Sequence, residues 1–97
     1  MNYVNYNTDR GLNRNIEVLD GGVLTISSEI VMANCKIKVR SGGTLIVDGG
    51  RLLHADLELE AASNLVVRNK GLIHMKPDMN FYAPIGATVT LESGEIM

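Results

Sequence analysis

Apolar and polar residues alternate along most of this chain, and pairs of small residues interrupt the alternation at nearly constant intervals. Ile16 and Val18 precede Gly21-Gly22, then Leu24 and Ile26. Ile37 and Val39 precede Gly42-Gly43, then Leu45 and Val47. Leu57 and Leu59 precede Ala62-Ser63, then Leu65 and Val67, and Phe81 and Ala83 precede Gly86-Ala87, then Val89 and Leu91. From Val18, Val39, Leu59 and Ala83 the step to the next inward position is six residues each time. An apolar period of two within a longer period of 20 to 24 residues predicts a β-solenoid with one coil per repeat.

A third short strand completes each coil, with Ile30 and Met32, Leu52 and His54, Ile73 and Met75, and finally Ile96 facing inward. The corners before it hold Gly, Asn, Asp and Ser and vary in length, which a strict hexapeptide helix does not tolerate. The expected fold is therefore all-β: a right-handed parallel β-helix of about four coils, three short strands per coil. Glycines and β-branched residues in every window oppose helix, and an antiparallel sandwich or barrel is the alternative architecture. Like residues then stack in columns. These are Leu24-Leu45-Leu65-Val89, Ile26-Val47-Val67-Leu91, Ile30-Leu52-Ile73-Ile96, Ile16-Ile37-Leu57-Phe81 and Val18-Val39-Leu59-Ala83. His54 is the one polar inward residue, between Met32 and Met75, and His74 points outward; so placed, the two do not converge on a metal.

With the interior filled, any function falls to outward side chains. On the strand before each small pair they are Glu17, Lys38, Glu58 and Tyr82, flanked by Lys36, Asp56 and Asn80 and by Arg40 and Glu60. Opposite charges in neighbouring coils predict an ion-pair ladder, and a cation beside each acid lowers its pKa. Paired carboxylates working on a sugar need the reverse, a raised pKa on one of them. The other two faces carry Thr25, Ile46, Val66 and Thr90, and Val31, Leu53, His74 and Met97. Ile46 with Val66, and Val31 with Leu53, make two apolar outward strips that call for cover by another copy or a neighbouring domain.

Composition narrows the choice further. The net charge of -2 over 97 residues offers no polybasic face for nucleic acid. No apolar run approaches the roughly 18 residues of a membrane span. Met1 to Arg14 is Asn-rich and lacks the apolar region of a secretion signal. One cysteine, Cys35, excludes an internal disulfide and reads as a small corner residue, and Cys35, His54 and His74 lack the spacing of a zinc site. No nucleophile triad, phosphate loop or cofactor motif can be assembled, so no cofactor is expected.

The stretch NTDRGLNRNIEVLDGGVLTISSEIVMANCKIKVRSGGTLIVDGG, Asn7 to Gly50, resembles segments of secreted and surface proteins of the Bacteroidetes. In those, a lead like Arg10 to Val18 enters a run like Gly21 to Gly50. The resemblance covers about half the chain and implies a parallel β-helix of the pectin-lyase-like type, set within a longer chain at the cell surface. A second resemblance, to the bactofilins, rests on size and a three-sided coil and implies a cytoplasmic polymer that assembles end to end. Pectate-lyase-like enzymes share the coil but carry a charged cleft that is not found here.

The ends complete the expectations. Residues 1–13, with Tyr3, Val4, Tyr6 and Leu12, form a cap over the first coil, and 14–97 form the solenoid. At the other end Val89, Leu91, Ile96 and Met97 have no layer above them. They predict self-association through the C-terminal coil as an end-to-end homodimer. A non-catalytic surface scaffold or spacer is the leading function. The alternatives are a bactofilin-like polymer and a carbohydrate-binding β-helix.

Overall fold

The computed structural model of the chain describes residues 4–9, 13–28, 30–33, 35–75 and 84–96. Phe81, Tyr82, Ala83, Asn80 and Met97, and the side chains of the N-terminal cap and of Cys35, lie outside the described residues. All regular structure among the described residues is β. The first coil contains β2 (Asn13–Val18), β3 (Val23–Ser27) and β4 (Val31–Ala33). The second contains β5 (Cys35–Val39), β6 (Thr44–Asp48) and the first half of β7 (Arg51–Leu59). The rest of β7, with β8 (Asn64–Arg68) and β9 (Leu72–Met75), forms the third. A fourth is represented by β10 (Thr88–Glu92) and β11 (Glu95–Ile96). Every coil-to-coil pairing is parallel, so the chain is a parallel β-solenoid of about three turns plus the described part of a fourth.

Two sequence columns are present in full: Leu24-Leu45-Leu65-Val89 and Ile26-Val47-Val67-Leu91. Ile16-Ile37-Leu57 and Val18-Val39-Leu59 follow as far as the described residues reach. Together they make one dry core in which Val18, Ile26, Ile37, Val39, Leu45, Val47, Leu52, Leu65, Val67 and Ile73 are inaccessible to solvent. Leu, Ile and Val ladders fill such a core without polar atoms, and each buried side chain contributes about 1.5–3 kcal/mol relative to exposure.

The small pairs close the corner between the first two faces. Gly22, Gly43, Ser63 and Ala87 each donate N–H to the carbonyl three residues back, at 2.8, 2.9, 3.2 and 3.0 Å. The residue before each has positive φ: Gly21, Gly42, Ala62 and Gly86 at 79, 82, 63 and 98°. A turn with positive φ at its third position selects glycine. The four turns stack through their own bonds, Gly21 N–H to Gly42 O, Gly42 N–H to Ala62 O and Ala62 N–H to Gly86 O.

The corner before the third face departs from the expected register. Met32, not Ile30, stacks with Leu52, Ile73 and Ile96. The step from the preceding inward residue is then six residues (Ile26 to Met32), five (Val47 to Leu52), six (Val67 to Ile73) and five (Leu91 to Ile96). Corners of two residues and one residue therefore alternate up the solenoid. In the third coil Asn69 and Lys70 both hold positive φ, whereas Gly49 and Ser93 do so singly.

His54 is also not inward. The register slips between Leu53 and Ala55, and His54 sits at φ 51° as an unpaired extra residue. Such a bulge turns the side chain out, and Ala55 takes the buried place beside Met75. Because β7 continues through this corner, it belongs to two faces and joins them into one sheet.

Candidate functional site

The wet face over β2, β5 and β7 carries the expected ion-pair ladder. Arg40 bridges three coils, with Nε 3.1 Å from Glu17 Oε2 and Nη1 3.1 Å from Glu60 Oε2. Lys36 and Lys38 both reach Glu58, at 3.5 and 3.8 Å. The Ser41 backbone N–H donates to Glu60 Oε1, and this bond, with Arg40 behind it, holds the Glu60 carboxyl below its ordinary value. Arg40 is held further above its own value by the hydrogen bond to Glu17 first and to Glu60 second. On the neighbouring face the Asn69 amide, then Arg68, depresses Asp48. These acids are fixed as charged partners. A depressed Glu60 stabilises the fold above its unfolded pKa, and that stability is lost as pH falls through the lower folded value. Acid unfolding of Glu60→Gln, followed by circular dichroism, is accordingly expected to show a shallower loss of stability below the ordinary carboxylate range than the parent. Superimposable acid limbs would contradict this.

The two apolar strips fare differently. Ile46 and Val66 are direct neighbours, flanked by Thr25 and Thr90, and each is half-buried by the side chains around it. Val31 and Leu53 are not neighbours. Val31 pairs with Arg51, while Leu53 lies between Ala33 and His74. The strip dissolves because the corner step places β4 two residues later than the alternation alone suggests. Leu53 is half-buried, and Val31 stands exposed at the edge.

The two histidine rings lie side by side on the outside. With His54 turned out at the bulge, its ring centroid is 5.8 Å from that of His74, and both rings are exposed. The cue in the sequence was the odd interval from Leu52 to Leu57, which period-two alternation cannot span with both residues inward. Two imidazoles supply half of a tetrahedral ligand set. Among the described residues no group of three or more His, Cys, Asp or Glu could hold a metal. An open groove nearby is lined by Arg51, Lys70, Gly71, Leu72, Ser93 and Glu95.

The ends hold the exposed apolar surface. The exposed large hydrophobics among the described residues are Val23 (55%), Ile30 (41%) and Val31 (59%) in the first coil, and Ile85 (99%) and Leu91 (51%) in the fourth. The second and third coils contribute none. Val89 and Ile96 are half-buried against the core, and β10 and β11 are the outermost strands of their faces. At the other end β1 (Val4–Asp9) pairs antiparallel with β2 from Val4–Val18 to Asp9–Asn13. The described part of the expected cap thus lies along β2, and among the described residues β3 and β4 are edge strands. No helix among the described residues is long and apolar enough to cross a membrane. No protein family, no curated protein and no solved structure matches this chain.

Proposed function

We propose that this chain is a non-catalytic structural β-solenoid, a scaffold or spacer of a surface protein, that self-associates through its C-terminal coil. The observation that carries the reading is the open upper edge. Among the described residues strands β10 and β11 each have one partner, and Leu91 is half exposed although its column is buried in every coil below. An unpaired strand edge next to apolar side chains is a template for another chain. A structural rather than catalytic role is supported by the acids of the charged face, where Glu60 is lowered by its neighbours, against the requirement for a general acid. A place in a surface protein rests on the resemblance of residues 7–50 to secreted segments of the Bacteroidetes.

Sedimentation at tens of micromolar tests the association, and a discrete species heavier than the monomer is expected. Leu91→Lys sets a charge on the half-exposed edge and is expected to shift the protein to monomer while leaving its circular dichroism unchanged. A parent protein that sediments as a clean monomer would withdraw the reading.

A further inference from the structure

The two ends of the solenoid do not fit one another, and the corner before the third face shows why. Ile30, Gly50 and Gly71 occupy the same place in successive coils, because their carbonyls accept from the N–H groups of Arg51, Leu72 and Glu95 at 3.0, 3.0 and 3.1 Å. Gly94, which precedes Glu95, is the fourth member of the column. A Cβ on Gly50 would lie 2.5 Å from the carbonyl oxygen of Ile26, one on Gly71 2.6 Å from that of Val47, and one on Gly94 2.8 Å from that of Val67. The clashing residues Ile26, Val47 and Val67 belong to one column, which Leu91 continues, and each lies one coil below the glycine it excludes from carrying a side chain. A Cβ at this corner is forbidden wherever a coil lies beneath. Ile30 carries one in the first coil, where no strand pairs beneath β3 or β4 among the described residues.

If a second copy were stacked below in the same register, its Leu91 would meet Ile30 as Val67 meets Gly94. The Ile30 Cβ would then fall on the Leu91 carbonyl oxygen, closer than real Cβ atoms approach. The remaining edge of that end is occupied by β1, which runs antiparallel to the strands a continuing stack would need. Among the described residues, the C-terminal face presents no such obstacle to the same face of a second copy. With β10 set antiparallel to a second β10 about Thr90, Val89 stands opposite the partner's Leu91 and Thr88 opposite the partner's Glu92. Directly opposite residues in an antiparallel pair share a face, so both inward residues stay inward.

Resting on the self-association proposed above, we infer that two copies of this chain meet C-terminal face to C-terminal face about a two-fold axis at Thr90. Ile30 and β1 refuse the head-to-tail stack. The axis places the two Thr90 residues side by side, whereas a head-to-tail stack would place Thr88 of one copy beside Val23 of the next.

Disulfide trapping separates the two arrangements, with Cys35→Ser as the background in both cases. Thr90→Cys is expected to give a covalent dimer under mild oxidation, because pairing raises the effective concentration of the two thiols. Chains carrying both Val23→Cys and Thr88→Cys are expected to cross-link slower by a factor on the order of ten, with no ladder of multimers. All three replaced positions are polar or exposed, and circular dichroism and sedimentation of each variant establish that fold and assembly are kept. A ladder from the Val23/Thr88 variant overturns the inference, as does a dimer that Thr90→Cys fails to trap. In both cases the self-association itself stands. A parent that is monomeric overturns the inference together with the reading on which it rests.

Discussion

Truncating Leu45 to alanine is expected to cost about 2–5 kcal/mol, out of the roughly 5–15 kcal/mol that stabilises a domain of this kind. Leu45 is fully buried, with Leu24 below it and Leu65 above. Its neighbours are fixed along the axis by the strand ladders, so the surrounding coils cannot collapse into the space left behind. That rigidity places the expected loss in the upper half of the range. Leu91→Ala removes the same atoms at the half-exposed end of the adjacent column, and its expected loss is below about 1 kcal/mol for the monomer. Urea unfolding with an unchanged m-value reads both differences. Equal midpoints for the two variants would contradict the burial gradient from the middle coils to the end.

Adding a single methyl group should do comparable damage at Gly50. Its Cβ would lie 2.5 and 2.7 Å from the carbonyl oxygens of Ile26 and Ser27 and 2.6 Å from Ile26 Cγ2. Two of these three atoms are backbone, so relief requires two coils to separate. Gly50→Ala is therefore expected to cost about 3 kcal/mol, the upper end of what overpacking usually does. The companion change is Ile30→Gly in the same column. There the close approach does not arise, and the loss is that of a side chain 41% exposed together with the added freedom of glycine in the unfolded chain, about 1–2 kcal/mol in all. Thermal midpoints measured on the two variants check the contrast. A Gly50→Ala protein as stable as its parent would mean that the coils are spaced more loosely than the column requires.

What the chain's alternation made legible was the part of the fold governed by period two. The core columns from Ile16 to Leu91 came through wherever three or more residues of strict alternation anchored them, and the charges of Glu17, Arg40 and Glu60 followed from that register. The departures fall at the two corners that flank the third face. Ile30 resembles an inward residue in composition, but its place is fixed by its hydrogen bonds to Arg51 and Ser27. His54 was misplaced because a positive-φ bulge reverses inside and outside for one residue, and no local composition announces it. That slip hid the histidine pair, and the two-residue shift of β4 is what separates Val31 from Leu53. The unequal ends were out of reach for a different reason. Their mismatch depends on a carbonyl oxygen one coil away, which only the stacked geometry reveals.

The near-constant interval between stacked residues also governs how the chain reaches its structure. The stacking contacts of the core join residues one coil apart, 21 from Leu24 to Leu45 and 20 from Leu45 to Leu65, so none of these is local and none need span the whole chain. Closing the first such loop must precede any reward from packing, and a closure of this length, repeated at every coil, belongs to folds that form in milliseconds to seconds. Once two coils are joined, the next finds a template already in place, with strand edges and a dry apolar ledge on which to lie. Folding then proceeds as growth from a nucleus in one dimension. The second and third coils, each with neighbours on both sides, are the natural place for that nucleus, and the end coils are the last to arrive and the first to fray.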